Sequence, residues 1–392
     1  MQRRSFLKHS FLSFFSMPYF VEANSAEANC TETRVNPDRL IVENTYFSAA
    51  KNPSGQFSIQ QIDQRGKLKH NYDIPSRGHS FAVSDGNYLV AIGRRPANFF
   101  LAIDLRSQRS TVVYADIDRR FYGHGVFSPA GEYLYLTEND LQTGMGKVGV
   151  YLVANGFKKI KEFSSFGIGP HDIAFDKHNQ QIVIANGGIK THPATGRKKL
   201  NIESMQSSLV HIDPITGEML GKTQLANELH FNSIRHLALD SLGNVYISLQ
   251  NQKPNKQECL LAIFNSDTKS IVPCEIPITV SGKLNNYLGD ICLDQSEQYF
   301  MATSPRGDQA LIYDSNGQFL DAVTISDVCG VAKNVNNREF TVTSGSGLIF
   351  QLTFDEELKR LSKFEFTKPK FTSLEIINRL SWDNHLLFIG SI

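Results

Sequence analysis

Four short stretches of this chain resemble one another, and each holds a histidine. They are Arg77-Gly78-His79-Ser80-Phe81, Tyr122-Gly123-His124-Gly125-Val126, Gly169-Pro170-His171-Asp172-Ile173 and Ile234-Arg235-His236-Leu237-Ala238. The histidines follow one another after 45, 47 and 65 residues. A small or basic residue precedes each, and a short apolar run follows. Self-similarity at such a period marks a repeat architecture. Each histidine is expected at the start of the innermost strand of a propeller blade, so that all four point toward one axis.

The segments between them support this. Beyond about residue 38 the chain reads as runs of five to seven residues rich in Val, Ile, Leu, Phe and Tyr, bounded by Gly, Asn, Asp or Pro. Such runs are strands. No stretch keeps a long 3.6-residue period, so almost no helix is expected. The strands group in fours. His79–Ser84, Tyr88–Ile92, Phe99–Asp104 and Ser110–Ala115 form the first complete set, and three more open at His124, Asp172 and His236. Further sets open at Gly289-Asp290-Ile291-Cys292, Val328-Cys329-Gly330-Val331 and Ile376-Ile377-Asn378-Arg379. The last contains only one more strand, Leu386–Gly390, and its outer strands are expected from the N-terminus, at Phe57–Ile62 and Leu68–Tyr72. That closure leaves no exposed sheet edge. Leu40–Tyr46 also reads as a strand and competes with Leu386–Gly390 for one slot. The fold class is thus all-β: a seven-bladed propeller of four-stranded blades, the last closed by N-terminal strands. Two packed β-sandwich domains are the alternative, but no Pro-, Gly- or Ser-rich linker separates them.

The chain opens with a segment of another kind. Arg3-Arg4-Ser5-Phe6-Leu7-Lys8 looks like the twin-arginine export motif, an apolar run follows from Phe11 to Val21, and Ala23, Ala26 and Ala28 offer cleavage positions. The run is too short and too polar to span a bilayer. Residues 1–28 are expected to be a signal peptide, 29–38 a short linker and 39–392 a single propeller domain, placed in the periplasm without stable membrane insertion. The twin-arginine route carries folded proteins, often with a cofactor inserted, which favours a bound metal. Lys and Arg total 40 against 39 Asp and Glu, a formal net charge of +1. That balance argues against a nucleic-acid partner. The cysteines, Cys30, Cys259, Cys274, Cys292 and Cys329, form no C-x-x-C pair. Export would permit Cys259–Cys274 or Cys292–Cys329 bridges, but small buried hydrophobes are the expected role.

In a propeller blade the first strand begins, and the second ends, on the same face of the disc, around the mouth of the central channel. Those positions are polar here. Second strands end in Arg94-Arg95, Glu138-Asn139-Asp140, Asn186-Gly187-Gly188, Gln250-Asn251-Gln252, Ser304-Pro305-Arg306 and Ser344-Gly345-Ser346. First strands contribute the histidines with Arg77 and Arg235. The third blade adds an insertion from Gly187 to Ser207 that contains His192, Arg197, Asn201 and Met205. Loops of that length are usually functional. Neutral imidazole suits Fe, Cu, Zn or Ni, so His79, His124, His171 and His236, with Glu138 and Asp140, are the candidate ligands of a transition metal, iron or copper. Arg77, Arg94, Arg95, Asn139, Asn186, His192, Arg197, Arg235 and Arg306 are candidates for holding a small anionic or metal-linked ligand, since guanidinium groups match carboxylate and phosphate. Each histidine could instead bond a backbone group between blades. The register also divides them. His79 and His171 lie four residues before the apolar residues Val83 and Phe175, whereas His124 and His236 lie three before Phe127 and Leu239. Because alternate strand residues face opposite ways, two or three histidines with Glu138, Asp140 and the arginines are expected rather than a symmetric ring. G-x-S-x-G, P-loop and H-E-x-x-H motifs are absent.

Phe121-Tyr122-Gly123-His124-Gly125, Thr137-Glu138-Asn139-Asp140, Gly167-Ile168-Gly169-Pro170-His171, Ala185-Asn186-Gly187-Gly188-Ile189-Lys190-Thr191-His192-Pro193 and Ser233-Ile234-Arg235-His236-Leu237-Ala238 together resemble the signature blocks of the DUF1513 family. The resemblance runs from Arg77 to Arg379 and is strongest up to Gln250. In the three C-terminal sets no first-strand histidine is read. The resemblance implies export, a propeller, and association with periplasmic iron-uptake proteins, imelysin-like and haem-peroxidase-like. It brings no catalytic residues. The leading expectation is an exported propeller that binds a metal or metal-linked ligand at the channel mouth, serving metal acquisition. A metal-dependent oxidoreductase or hydrolase using the same mouth, and a protein-docking scaffold, are the alternatives.

Overall fold

A computed structural model describes residues 44–85, 87–196, 198–253, 259–365 and 380–390. Their strands form seven antiparallel four-stranded sheets. Blades I to VI run in chain order, with innermost strands Gly78–Ser84, Arg119–Phe127, Pro170–Asp176, Asn232–Leu239, Asp290–Leu293 and Val328–Lys333. Among the described residues the only helical segments are Ile278–Ser281 and four single 3-10 turns. The expected seven-bladed architecture holds.

Blade VII closes the ring in a different order from the one read in the sequence. Its innermost strand is Ser381–Ile389, and three N-terminal strands follow outward: Thr45–Lys51, Phe57–Asp63 and Leu68–Ile74. The second slot is thus filled by Thr45–Lys51, which overlaps the contested Leu40–Tyr46 only at Thr45 and Tyr46, residues 40–43 lying outside the described ones, and the strand read as Leu386–Gly390 moves in to the axis. The opening proposed at Ile376–Arg379 lies outside the described residues. Closure is fastened within blade VII and against blade VI. Ser48 Oγ donates to the His385 carbonyl at 3.0 Å, and Thr341 Oγ1 donates to the Tyr46 hydroxyl at 2.9 Å.

The core lies between blades. Tyr135, Val148 and Val150 of blade II meet Ile182, Ile184, Val210 and Ile212 of blade III. Phe47 and Ile59 of blade VII meet Leu89, Leu101 and Ile103 of blade I. Each such side chain contributes about 1.5–3 kcal/mol when fully buried. Turns between third and fourth strands reuse one device: Asp104, Asp213, Asn265 and Asp355 accept backbone N–H groups two and three residues on, at 2.7–3.1 Å. Cys274, Cys292 and Cys329 are free thiols, and burial pushes that of Cys274 up to about 12.

Candidate metal centre

Every first strand that contains a histidine is broken by a β-bulge at that histidine. Pairing with the second strand skips the residues between Gly78 and Phe81, Phe121 and Gly125, Pro170 and Asp172, and Ile234 and Leu237. In blade VII it skips those between Trp382 and Leu386, which include His385. A bulge frees its residues from strict alternation and re-aims a side chain. This is why histidines in two apparent registers converge. Ring centroids of His79, His124, His171 and His236 lie 4.8–6.5 Å apart.

The sequence reading missed the fifth member. His385 sits 4.6–4.9 Å from His79, His124 and His236. Its stretch, Trp382-Asp383-Asn384-His385-Leu386-Leu387-Phe388, has the polar-then-apolar signature of the other four but no Gly, Pro or Arg directly before the histidine.

Hydroxyl groups hold the bulged backbone. Thr137 Oγ1 donates to the His124 carbonyl at 3.0 Å, the His236 N–H donates to Ser248 Oγ at 3.2 Å, and Ser80 Oγ donates to the Gly123 carbonyl at 2.5 Å. Gly123 has φ +115°, and a Cβ there would meet His79 Cδ2 at 2.4 Å. The histidine rings pack this closely only because that position has no side chain.

All five histidines are buried. Two sets bring one ring nitrogen each to within 4.8 Å of one another: His79, His124 and His171, and His124, His236 and His385. Hydrogen-bond partners separate them. His124 Nδ1 lies 3.0 Å from Asp172 Oδ1, and His385 Nδ1 lies 3.0 Å from Asp290 Oδ1. A carboxylate only accepts, so both Nδ1 atoms carry the proton and both Nε2 atoms keep a lone pair. His236 Nδ1 lies 4.0 Å from the other oxygen of Asp172, too far for a hydrogen bond, and has no partner among the described residues. His171 is oriented differently: its Nδ1 lies 3.4 Å from Arg235 Nη1, which can only donate. Neutral His171 therefore carries its proton on Nε2. His79 Nε2 lies 3.3 Å from His124 Nε2 and donates to it, leaving His79 Nδ1 without a partner. His385 Nε2 is also buried and unpartnered. Carboxylates behind histidines are the usual outer shell of metal ligands. The partners thus favour His124, His236 and His385 as the set with three lone pairs to offer a cation.

Both aspartates also join blades. Asp172 accepts from the N–H of Leu237 at 2.9 Å, and Asp290 accepts from that of Val331 at 3.0 Å. Burial, reinforced by neighbouring positive groups, holds His79, His171 and His236 well below the ordinary histidine value. Burial also lowers His124, against the opposing pull of Asp172. His385 moves the other way: burial lowers it, but Asp290, Asp172 and Asp383 together outweigh burial and raise it.

His79, His171 and His236 form part of the wall of a cavity of about 520 Å³ at the channel mouth. Arg94, Arg95, Arg120, Lys199, Arg235 and Arg306 line it, and no Asp or Glu among the described residues does. The insertion of blade III forms one side through Ile189, Thr191, His192 and Lys199. Arg95 stacks on Tyr122 at 3.9 Å and Arg306 on Tyr287 at 4.4 Å. Lys199, Arg120 and the two tyrosines were not singled out from the sequence.

Other expected residues fall elsewhere. Asn139 lines the cavity, so its strand neighbours Glu138 and Asp140 face away. Glu138 is fully buried against Tyr151 Oη at 2.6 Å and Lys159 Nζ at 2.7 Å. Burial raises its pKa, and Lys159 opposes that. Asp140 caps its own turn through the N–H groups of Gln142 and Thr143. Neither acid joins the histidine centre. Arg77 bonds Asp383, which also receives Arg94 at 3.0 Å, and does not reach the cavity. Asn186 exchanges two 2.8 Å hydrogen bonds with Ser165, a structural role. Arg197 lies outside the described residues.

Solved structures share this fold. The periplasmic gluconolactonase PpgL of Pseudomonas aeruginosa is 11% identical, with TM-score 0.59 over 89% of this chain and 99% of that one. Hydrazine synthase of Kuenenia stuttgartiensis is 12% identical, with TM-score 0.56 over 86% and 99%. The WD40 repeats of RRP9 are 10% identical, with TM-score 0.53 over 73% and 80%. At such identities the likeness bears on the fold alone. No curated protein matches the chain. The family model for DUF1513, "Protein of unknown function (DUF1513)", matches residues 72–389, and the chain belongs to that family.

Proposed function

We propose that this protein is an exported periplasmic propeller that binds one transition-metal ion on the histidines at its axis and takes a metal-linked ligand in the cavity above, in the service of metal acquisition. The observation that carries this reading is the pair of aspartates behind the histidines. Asp172 and Asp290 set the protons of His124 and His385 on Nδ1 and leave the Nε2 lone pairs pointing into a shared space. Neutral imidazole without thiolate or carboxylate suits iron, copper, zinc or nickel, and iron or copper is the proposed cargo. The twin-arginine-like segment at Arg3-Arg4 supports export.

Metal analysis of protein purified from the periplasm without chelators tests this. About one equivalent of a single transition metal is expected, either as purified or after reconstitution. Less than about a tenth of an equivalent under both conditions contradicts it. A second reading, a metal-dependent oxidoreductase or hydrolase, draws on one further observation. His236 belongs both to the three-histidine set and to the cavity wall, so a metal there would face the cavity. Catalytic zinc sites share that plan, with three protein ligands and an open position.

A further inference from the structure

Arg235 is buried, with 9% of its surface exposed. It forms part of the cavity wall, and among the described residues its Nε has no hydrogen-bond partner and its one polar side-chain contact is His171 Nδ1. A buried guanidinium without an anion is costly, because burial strips its hydration and nothing replaces it. Burial and the nearby charge of Arg95 pull its pKa down to about 10. Lys199, on the facing insertion, is also lowered, by burial and then by Arg235 and Arg306. Among the described residues, only Arg94 of the six cations around the cavity has a carboxylate partner, Asp383. These charges come from five blades and repel one another. The fold nonetheless keeps them together, with Arg95 and Arg306 laid flat on tyrosine rings.

We infer that the cavity is a binding site for a small polyanion, one with at least three negative charges on carboxylate or phosphate groups, and that Arg235 is its innermost anchor. A monovalent anion would satisfy one guanidinium and leave the rest repelling. The volume admits a molecule well above the size of acetate or sulfate. Amide side chains of Asn139, Gln250 and Asn384 stand among the cations and would bond hydroxyl or carboxyl oxygens between them. This inference deepens the reading of the channel mouth as a ligand site, but it rests on the cavity and not on a bound metal.

The test is calorimetric titration of metal-stripped full-length mature protein with citrate, triphosphate, acetate and sulfate. Citrate or triphosphate should bind at least tenfold tighter than acetate and sulfate, and more weakly as salt rises. Tighter citrate identifies a polycarboxylate, tighter triphosphate a polyphosphate. Arg235→Gln should cost tenfold or more. Arg306→Gln, nearer the rim, should cost about threefold to tenfold, and serves if Arg235→Gln fails to fold. Arg65→Gln, on an exposed turn, should change nothing. Equal affinity for acetate and citrate, no binding at millimolar concentration, or affinity unmoved by Arg306→Gln overturns the proposal. Metal uptake on reconstitution of the same preparations separates the two readings. Loss of polyanion binding with metal uptake intact removes this inference alone, and the converse removes only the metal.

Discussion

His124 Nδ1 stands 3.0 Å from Asp172 Oδ1, across the boundary between blades II and III. The same carboxylate accepts the N–H of Leu237 in blade IV. One side chain thus joins three blades at the axis and fixes the proton of the central histidine.

Asp172→Asn removes the charge and the fixed tautomer with little change of shape. Outer-shell substitutions of this kind typically cost 10–100-fold in metal affinity. That loss is expected for the proposed iron or copper site, measured by competition with a chromophoric chelator.

His385 should matter as much as His124. His385→Ala and His124→Ala are each expected to lower metal stoichiometry below about a fifth of an equivalent. His70→Ala, an exposed position on the outer strand of blade VII, should leave it unchanged. Full stoichiometry in His385→Ala would remove this residue from the centre.

Stability of the metal-free protein should fall in mild acid. His79, His124, His171 and His236 have folded-state values below that of the unfolded chain, near 6.5. The unfolded state therefore binds protons first. Their contribution is complete above about pH 6.5 and is lost as pH falls below it, by up to about 1.4 kcal/mol per pH unit for each group. His385 has the opposite sign: its raised value adds stability in acid that is lost as pH rises through its folded pKa. Four groups outweigh one, so urea midpoints should decline steadily from pH 7 to pH 5. A flat profile would contradict the assignment of neutral, buried imidazoles.

Gly123→Ala should be destabilising beyond its size. The positive φ alone costs roughly 1–3 kcal/mol for a non-glycine residue. The new Cβ would also displace the His79 ring. A drop in denaturation midpoint of that size, with altered histidine NMR shifts, is the expected outcome.

The repeat was legible because each blade replays apolar strands and polar turns at a near-constant period. The histidines were legible as blade markers, but their directions were not. Alternation along an ideal strand puts His79 and His171 out of step with His124 and His236, and the bulges cancel that offset. The pairing skips that create the bulges have no sequence signature of their own. His385 was missed for a related reason: Ser381–Ile389 reads as an ordinary strand until the N-terminal strands are laid beside it. Glu138 and Asp140 were placed at the centre because they end a second strand at the mouth. Asn139 between them takes the inward direction, so alternation sends both acids away. The arginines followed the sequence reading more closely, since Arg94, Arg95, Arg235 and Arg306 all reach the cavity.

Anomalous X-ray scattering from crystals of metal-reconstituted protein tests the central claim most directly. The account predicts one peak on the axis, within about 2.0–2.3 Å of Nε2 of His124, His236 and His385. A peak at Glu138 and Asp140, at surface histidines such as His70, or nowhere in a protein saturated with metal would contradict it.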